Sequence, residues 1–259
     1  MKSARHFRIN QLLFAFCSLL LMNSLHAENL FAEDTYIGII EPRKLIKIGS
    51  PSWGIVEDVP VNRGDRIEQG ALLTQLNADV EKLELSLAKT RMHLAESRYK
   101  RQLALEQNNL VSDEDAENAK TELELNKLEV RRREILLRQK TIKSPVPGVV
   151  TETLVSSGEY VYEQTPVVVV AQIDPLNVEL ILPFSEFGRI KPGMRAEVIP
   201  QEPINGRYVA EVEVIDKVMD AASATFGVRL KLANPDQTIL SGIKCGVRFL
   251  DDSITLSAK

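Results

Sequence analysis

Residues 53–73, WGIVEDVPVNRGDRIEQGALL, line up with residues 147–167, PGVVTETLVSSGEYVYEQTPV, at a constant offset. Gly54 and Gly148, Val56 and Val150, Val61 and Val155, and Gly64 and Gly158 coincide. Each copy reads as a strand, a turn on Arg-Gly-Asp or Ser-Gly-Glu, and a second strand. Glycine before an acidic residue suits a tight turn at positive φ, and the Val- and Ile-rich flanks suit half-buried strands. Neither short β unit can bury a face by itself, but two facing one another can. The repeat predicts a small β-sandwich whose halves are separated in the chain.

The material between the halves is helical. Residues 79–107 and 113–140 contain no Pro or Gly and are rich in Leu, Lys, Glu, Ala and Arg, all strong helix formers. Apolar residues recur at seven-residue steps, Val80, Leu87 and Leu94 in the first arm and Leu123, Val130 and Leu137 in the second. That seam predicts an antiparallel two-helix coiled coil. Ser112 suits the N-cap of the second arm, with Asp113, Glu114 and Asp115 where the helix dipole favours negative charge. The hairpin therefore turns at Asn108–Val111, and Pro145 and Pro147 end the helical region.

Beyond the second half the chain is β-prone. NVELILP, RAEVIP, RYVAEVEVI, GVRLKL and CGVRFL are separated by Gly, Pro and Asn turns, which predicts a small barrel or sandwich, with Ser185 capping one helical turn. At the other end, Lys2, Arg5 and Arg8, the apolar run Leu12–Met22 and a small residue at Ala27 read as a secretory signal peptide. Leu25 is not the small residue favoured near such a cut, so an uncleaved anchor is the alternative. Export leaves Cys245 as the mature chain's sole cysteine, a buried, inert thiol in a strand-like run, and no internal disulfide can form.

These pieces, in their order, resemble the periplasmic adaptors, or membrane fusion proteins, of bacterial tripartite efflux pumps. Gly54–Asn77 resembles the first lipoyl-like half and Thr141–Val161 the second. Pro183–Val198 and Asp220–Gly242, with its Thr-Phe strand start and Asn-Pro turn, resemble parts of the family's β-barrel. The resemblance implies a mainly β fold, with a lipoyl-like sandwich split by a long α-helical hairpin and joined to a small β-barrel. The expected division is a leader at 1–27, a segment contributing to the barrel at 28–45, and the first sandwich half at 46–78. The hairpin follows at 79–140, the second half at 141–173, the barrel at 174–250 and a tail at 251–259. About seven residues separate the expected leader from Thr35 and about ten follow Phe249, so the family's membrane-proximal domain is not expected.

The resemblance also gives the hairpin tip a purpose. Adaptors that dock onto TolC-type outer-membrane channels carry an arginine, a leucine four residues on and a serine seven further around the turn. Arg101, Leu105 and Ser112 have that spacing. Arginine can bond carboxylates in bidentate fashion, and leucine can fill a groove between helices. By composition alone, Arg101 is a solvated residue, Leu105 closes the helical seam and Ser112 caps a helix. The implied partners are a TolC-type channel, an inner-membrane transporter of RND type, and further copies in a trimeric or hexameric ring. Gly64, Gly70 and Gly158 serve turns or lie where neighbouring copies meet. The implied function is efflux of small toxic molecules from the periplasm, with an ABC-linked or type I secretion adaptor as the alternative.

Other classes fit less well. A net charge of −4 argues against a nucleic-acid binder. A lipoyl or biotinyl carrier needs a lysine on the short hairpin that the helices replace here. His93 and Met92 are adjacent on one helix and point apart, so no convergent metal-ligand cluster is expected, and no cofactor. No nucleophile elbow or phosphate loop is present, so no catalysis is expected.

Overall fold

The structure, a computed structural model, describes residues 35–108 and 110–250. The expected leader and tail, and the first residues of the following segment, lie outside these. Two long strands organise the β structure, β1 (Tyr36–Gly49) and β8 (Pro166–Pro183). They pair antiparallel twice, Gly38–Pro42 against Leu176–Leu180 and Lys44–Gly49 against Pro166–Gln172, with a register slip between Pro42 and Lys44. The first pairing belongs to a barrel and the second to a sandwich, so continuous backbone joins the two bodies.

The barrel adds β9 (Arg195–Pro200), β10 (Tyr208–Ile215), β11 (Thr225–Leu232) and β12 (Ile243–Phe249). Its neighbours run β1-β12-β9-β10-β11-β8, and the β1–β8 pairing closes the ring at six strands. Closure removes every strand edge from this body. Ile40, Leu176, Leu180, Val198, Phe226, Leu230 and Val247 fill its interior. Alternate residues of β11 point inward, as a half-buried strand requires. Cys245 is fully buried there, and burial pushes its thiol up to about 12, so it is not nucleophilic near neutral pH. The Asn-Pro turn also has a structural role. Buried Asn234 accepts from Ile239 N–H (3.1 Å) and donates to the carbonyls of Ile173 (3.0 Å) and Ile239 (3.1 Å), tying this loop to the junction between barrel and sandwich. The helical turn is a 3-10 turn over Phe184–Glu186 with Pro183 at its N-cap and no side-chain cap. Ser185 lies inside it, so the expected capping role is corrected.

The sandwich sets β2 (Gly54–Asp58), β4 (Leu72–Leu76), β5 (Thr141–Lys143) and β7 (Tyr160–Val161) against β1, β8, β6 (Gly148–Thr153) and β3 (Arg66–Ile67). Its two halves are reciprocal to the level of single hydrogen bonds. Gly64 N–H donates to Val150 O and Gly158 N–H to Val56 O, both at 2.8 Å. Gly70 N–H donates to Ser144 O and Gln164 N–H to Ser50 O, again both at 2.8 Å. Val56, Val150, Val61 and Val155 are all buried in the shared core. Gly64, Gly70 and Gly158 adopt φ of 96°, 86° and 89°. Where the first half uses Gly70, the second places Gln164 at φ 67°, a left-handed conformation that a side chain rarely adopts.

The helices are α1 (Asp79–Glu106) and α2 (Asp113–Gln139). Among the described residues, ion pairs cross between them at Glu84–Arg133, Lys89–Glu134 (4.0 Å) and Arg98–Glu122 (3.3 Å). From the first of these pairs to the last the α1 position rises from Glu84 to Arg98 while the α2 position falls from Arg133 to Glu122, so the helices run antiparallel. Leu123 and Val130 of α2 are buried between them and Leu137 is half-buried. In α1 the buried positions are Ala88 and Ala95, whereas Val80, Leu87 and Leu94 are exposed. The expected α1 seam is therefore displaced by one residue. Small alanines bring the axes close and leave room for the larger α2 side chains, while the leucine stripe turns outward.

At the base of the helices, buried Lys140 pairs with Glu81 (3.1 Å), donates to Trp53 O (2.8 Å) and lies 4.8 Å from the centroid of the Trp53 ring. This lysine couples both helices to the strand entering the sandwich. Breaking a buried pair from one side strands the other charge, whereas an apolar replacement of the ion does not. Glu81→Ala is expected to cost about 2 kcal/mol, since water still reaches part of Glu81, and Lys140→Met less. Chemical denaturation of both variants checks this, and the reverse order would contradict it.

Candidate functional site

The ends of α1 and α2 form the tip. With 28 residues at 1.5 Å each, α1 carries it about 42 Å from the sandwich. The last turn of α1 closes on itself, since the N–H groups of Asn108 (3.1 Å) and Leu110 (2.9 Å) both donate to Leu105 O, and Asn108 Nδ2 donates to Ala104 O (2.6 Å). The first turn of α2 is closed by a reciprocal capping box. Asp115 N–H donates to Ser112 Oγ (3.2 Å), and Asp115 Oδ2 accepts from both Ser112 N–H (3.3 Å) and Ser112 Oγ–H (2.6 Å). Ser112 thus spends its proton and one lone pair on the cap, which the acidic first turn stabilises further.

Arg101 and Leu105 lie one helical turn apart on α1, and both are exposed. They share the wall of a groove of about 510 Å³ with Arg98 and Gln102 of α1 and Asp115, Asn118, Ala119 and Glu122 of α2. Arg98 is held by Glu122, but Arg101 makes no ion pair among the described residues. Gln102 Oε1 is buried with no hydrogen-bond partner among the described residues. The groove therefore presents a guanidinium with no ion pair among the described residues, an apolar side chain and amide and carboxylate groups, a set suited to holding a polar helix end. Ser112 caps α2 and is not among its lining residues. Sequence reasoning singled out Arg101 and Leu105 but not Gln102, their neighbour on α1, nor Asp115 and Asn118, which only the antiparallel register brings opposite them.

Gly64, Gly70 and Gly158 lie on the sandwich, far from this groove. At each of them a side chain would meet open space, so packing does not force glycine there and the turn conformation does. Among the described residues no group of three or more His, Cys, Asp or Glu could hold a metal ion. Nor, among them, is any helix long and apolar enough to cross a membrane.

Residues 44–172 match the model of a CzcB-like, barrel-sandwich hybrid domain. The chain is 26% identical to the multidrug resistance protein MdtE of Escherichia coli K12, over 78% of this chain and 60% of that protein. It is 25% identical to the pyoverdine export membrane fusion protein PvdR of Pseudomonas aeruginosa, over 69% and 54%. It is 22% identical to the cation efflux system protein CzcB of an Alcaligenes species, over 73% and 39%. The chain spans about half the length of the curated relatives it matches. Among solved structures, a MacA–MexA chimera carrying the Pseudomonas aeruginosa MexA α-hairpin has a similar fold, with a TM-score of 0.72 at 19% identity over 83% of this chain and 79% of that one. A putative efflux transporter from Bacteroides eggerthii gives 0.73 at 15% identity over 87% and 71%.

Proposed function

Because this chain belongs to the membrane fusion protein family of adaptors, which are non-enzymatic linkers of efflux systems, we propose that it joins an RND-type inner-membrane transporter to a TolC-type outer-membrane channel in the periplasm. Its cargo is small toxic molecules. The observation that carries this reading is the tip groove, where an exposed Arg101, with no ion pair among the described residues, stands beside Leu105 at the end of a long two-helix arm. An unpaired guanidinium is free to bond the carboxylates or backbone carbonyls of a channel's helical ends, and a bidentate bond fixes orientation as well as contact. Leu105 supplies the apolar contact, and Ser112 sets the geometry of the turn.

Single contacts of this kind are weak, so several tips must bind together for a durable junction. A ring of copies supplies them, and the outward stripe of Leu87 and Leu94 on α1, with Leu125 and Leu128 on α2, suits helices that pack beside neighbouring helices. The lipoyl-like sandwich at the base of the arm is then the body around which the copies assemble. The test is growth of a strain lacking this chain in the presence of dyes, detergents and antibiotics. Susceptibility is expected to rise and to be reversed by the full chain. Equal susceptibility with and without it would contradict efflux of small toxic molecules.

A further inference from the structure

The sandwich has two open flanks. On one, β7 ends the four-stranded sheet and the Lys44–Gly49 part of β1 pairs with β8 alone. The turn after β7 is fastened to the end of β1, where Gln164 N–H donates to Ser50 O and Ser50 N–H to Thr165 O. On the other flank β3 ends the larger sheet and β5 the smaller, joined through Gly70 N–H and Ser144 O. Among the described residues these strand edges have no partner, and folded proteins keep such edges short or cover them.

The flanks differ in chemistry. Beside β7 a shallow pocket of about 500 Å³ is lined by Trp53, Tyr160, Tyr162 and Glu163. Aromatics make up 5% of the sequence, yet three of them meet here, and they are 57%, 51% and 69% exposed. Tyr160 and Tyr162 pack edge to face at 5.1 Å. Glu163 makes no ion pair among the described residues. The Trp53 ring already holds one ammonium, that of Lys140 at 4.8 Å. Ring faces beside a free carboxylate attract organic cations, guanidinium above all. The opposite flank carries such groups. Arg63 is exposed on the turn before β3, Arg66 on β3 itself and Lys143 on β5. None of the three makes an ion pair among the described residues.

The internal repeat places the two features in equivalent positions, since Arg66 in the first half corresponds to Tyr160 in the second. We propose that the Trp53–Tyr160–Tyr162–Glu163 pocket receives Arg66 of a second copy of this chain, joining sandwiches head to tail. Such a contact is heterologous, so repeating it closes a ring when the rotation permits. The inference rests on the ring of the proposed function and assigns its contact surface.

The test uses two differently tagged full-length chains, one carrying Arg66→Cys and the other Glu163→Cys, expressed together and treated in cells with a short bis-maleimide. Cys245 is buried and does not compete, and both chains also carry Cys17→Ser. A dimer containing both tags is expected from the mixture and none from either variant alone, while a chain carrying both substitutions gives a ladder of multimers. Oligomers of the wild-type chain by mass without this crosslink would overturn the flank assignment and leave the ring standing. Same-variant dimers would overturn it in favour of a two-fold contact. A wild-type chain that stays monomeric at every concentration would remove the ring and the assignment together. Trp53 is the chain's sole tryptophan, so its fluorescence reports on the pocket. Saturation by micromolar tetramethylammonium, independent of protein concentration, would assign the pocket to a free cation instead and overturn the proposal.

Discussion

Arg101→Asp is expected to reduce drug resistance to the level of a strain lacking the chain, while the purified variant unfolds at the wild-type temperature. Arg101 is exposed and makes no ion pair among the described residues, so its removal costs the fold within about 0.5 kcal/mol. At the docking surface the change is far larger. A bidentate donor is lost, and a carboxylate is added to a groove that already contains Asp115 and Glu122. Arg101→Lys keeps the charge but not the planar fork, so intermediate resistance is expected. Efflux assays in cells with matched protein levels check both variants. Wild-type resistance in Arg101→Asp would remove the tip from the mechanism.

Gly148→Ala is expected to have the largest effect on stability. An added Cβ would lie 2.3 Å from Ala171 O and 2.9 Å from Ala171 C, and these are backbone atoms that no rotamer change can move. The clash falls where β6 meets β8, at the centre of the sandwich. Overpacking of this kind costs about 3 kcal/mol, which corresponds to a melting temperature lower by roughly 10 °C in a chain of this size. Gly64→Ala provides the comparison, because there the space is open and the penalty is that of a left-handed backbone at φ 96°, about 1 kcal/mol. Thermal unfolding of the two variants should separate them clearly. Equal losses would mean that β6 does not approach β8 as closely as the structure has it.

The β repeat was legible because its glycines and valines are fixed by geometry that both copies share. Gly64 and Gly158 each bond the other copy's strand, and Val56 and Val150 share one core. What the repeat hid was Gln164, which occupies the left-handed position that Gly70 fills in the first half. Hydrogen bonding to Ser50 holds it there, and nothing in its own identity signals that.

The helices were legible in length and turn but not in facing. Val80, Leu87 and Leu94 of α1 are the stronger hydrophobic signal, yet close antiparallel packing selected the neighbouring alanines. The parallel spacing of Glu81, Ala88, Ala95 and Gln102 was the available clue. Lys140 draws Glu81 inward at the base, which fixes the rotation of the whole helix. At the candidate site, Arg101 and Leu105 could be picked from α1 by themselves. The opposite wall depends on interhelical register, which one sequence does not reveal.

The central claim is that the tip touches an outer-membrane channel. A photoreactive residue at Leu105, with a control at His93 about 18 Å back along α1, tests it in living cells. Capture of a TolC-type outer-membrane channel from position 105 and not from 93 is the predicted result. Capture from 105 of only further copies of this chain would contradict the account and make the arm an assembly element instead of a docking one.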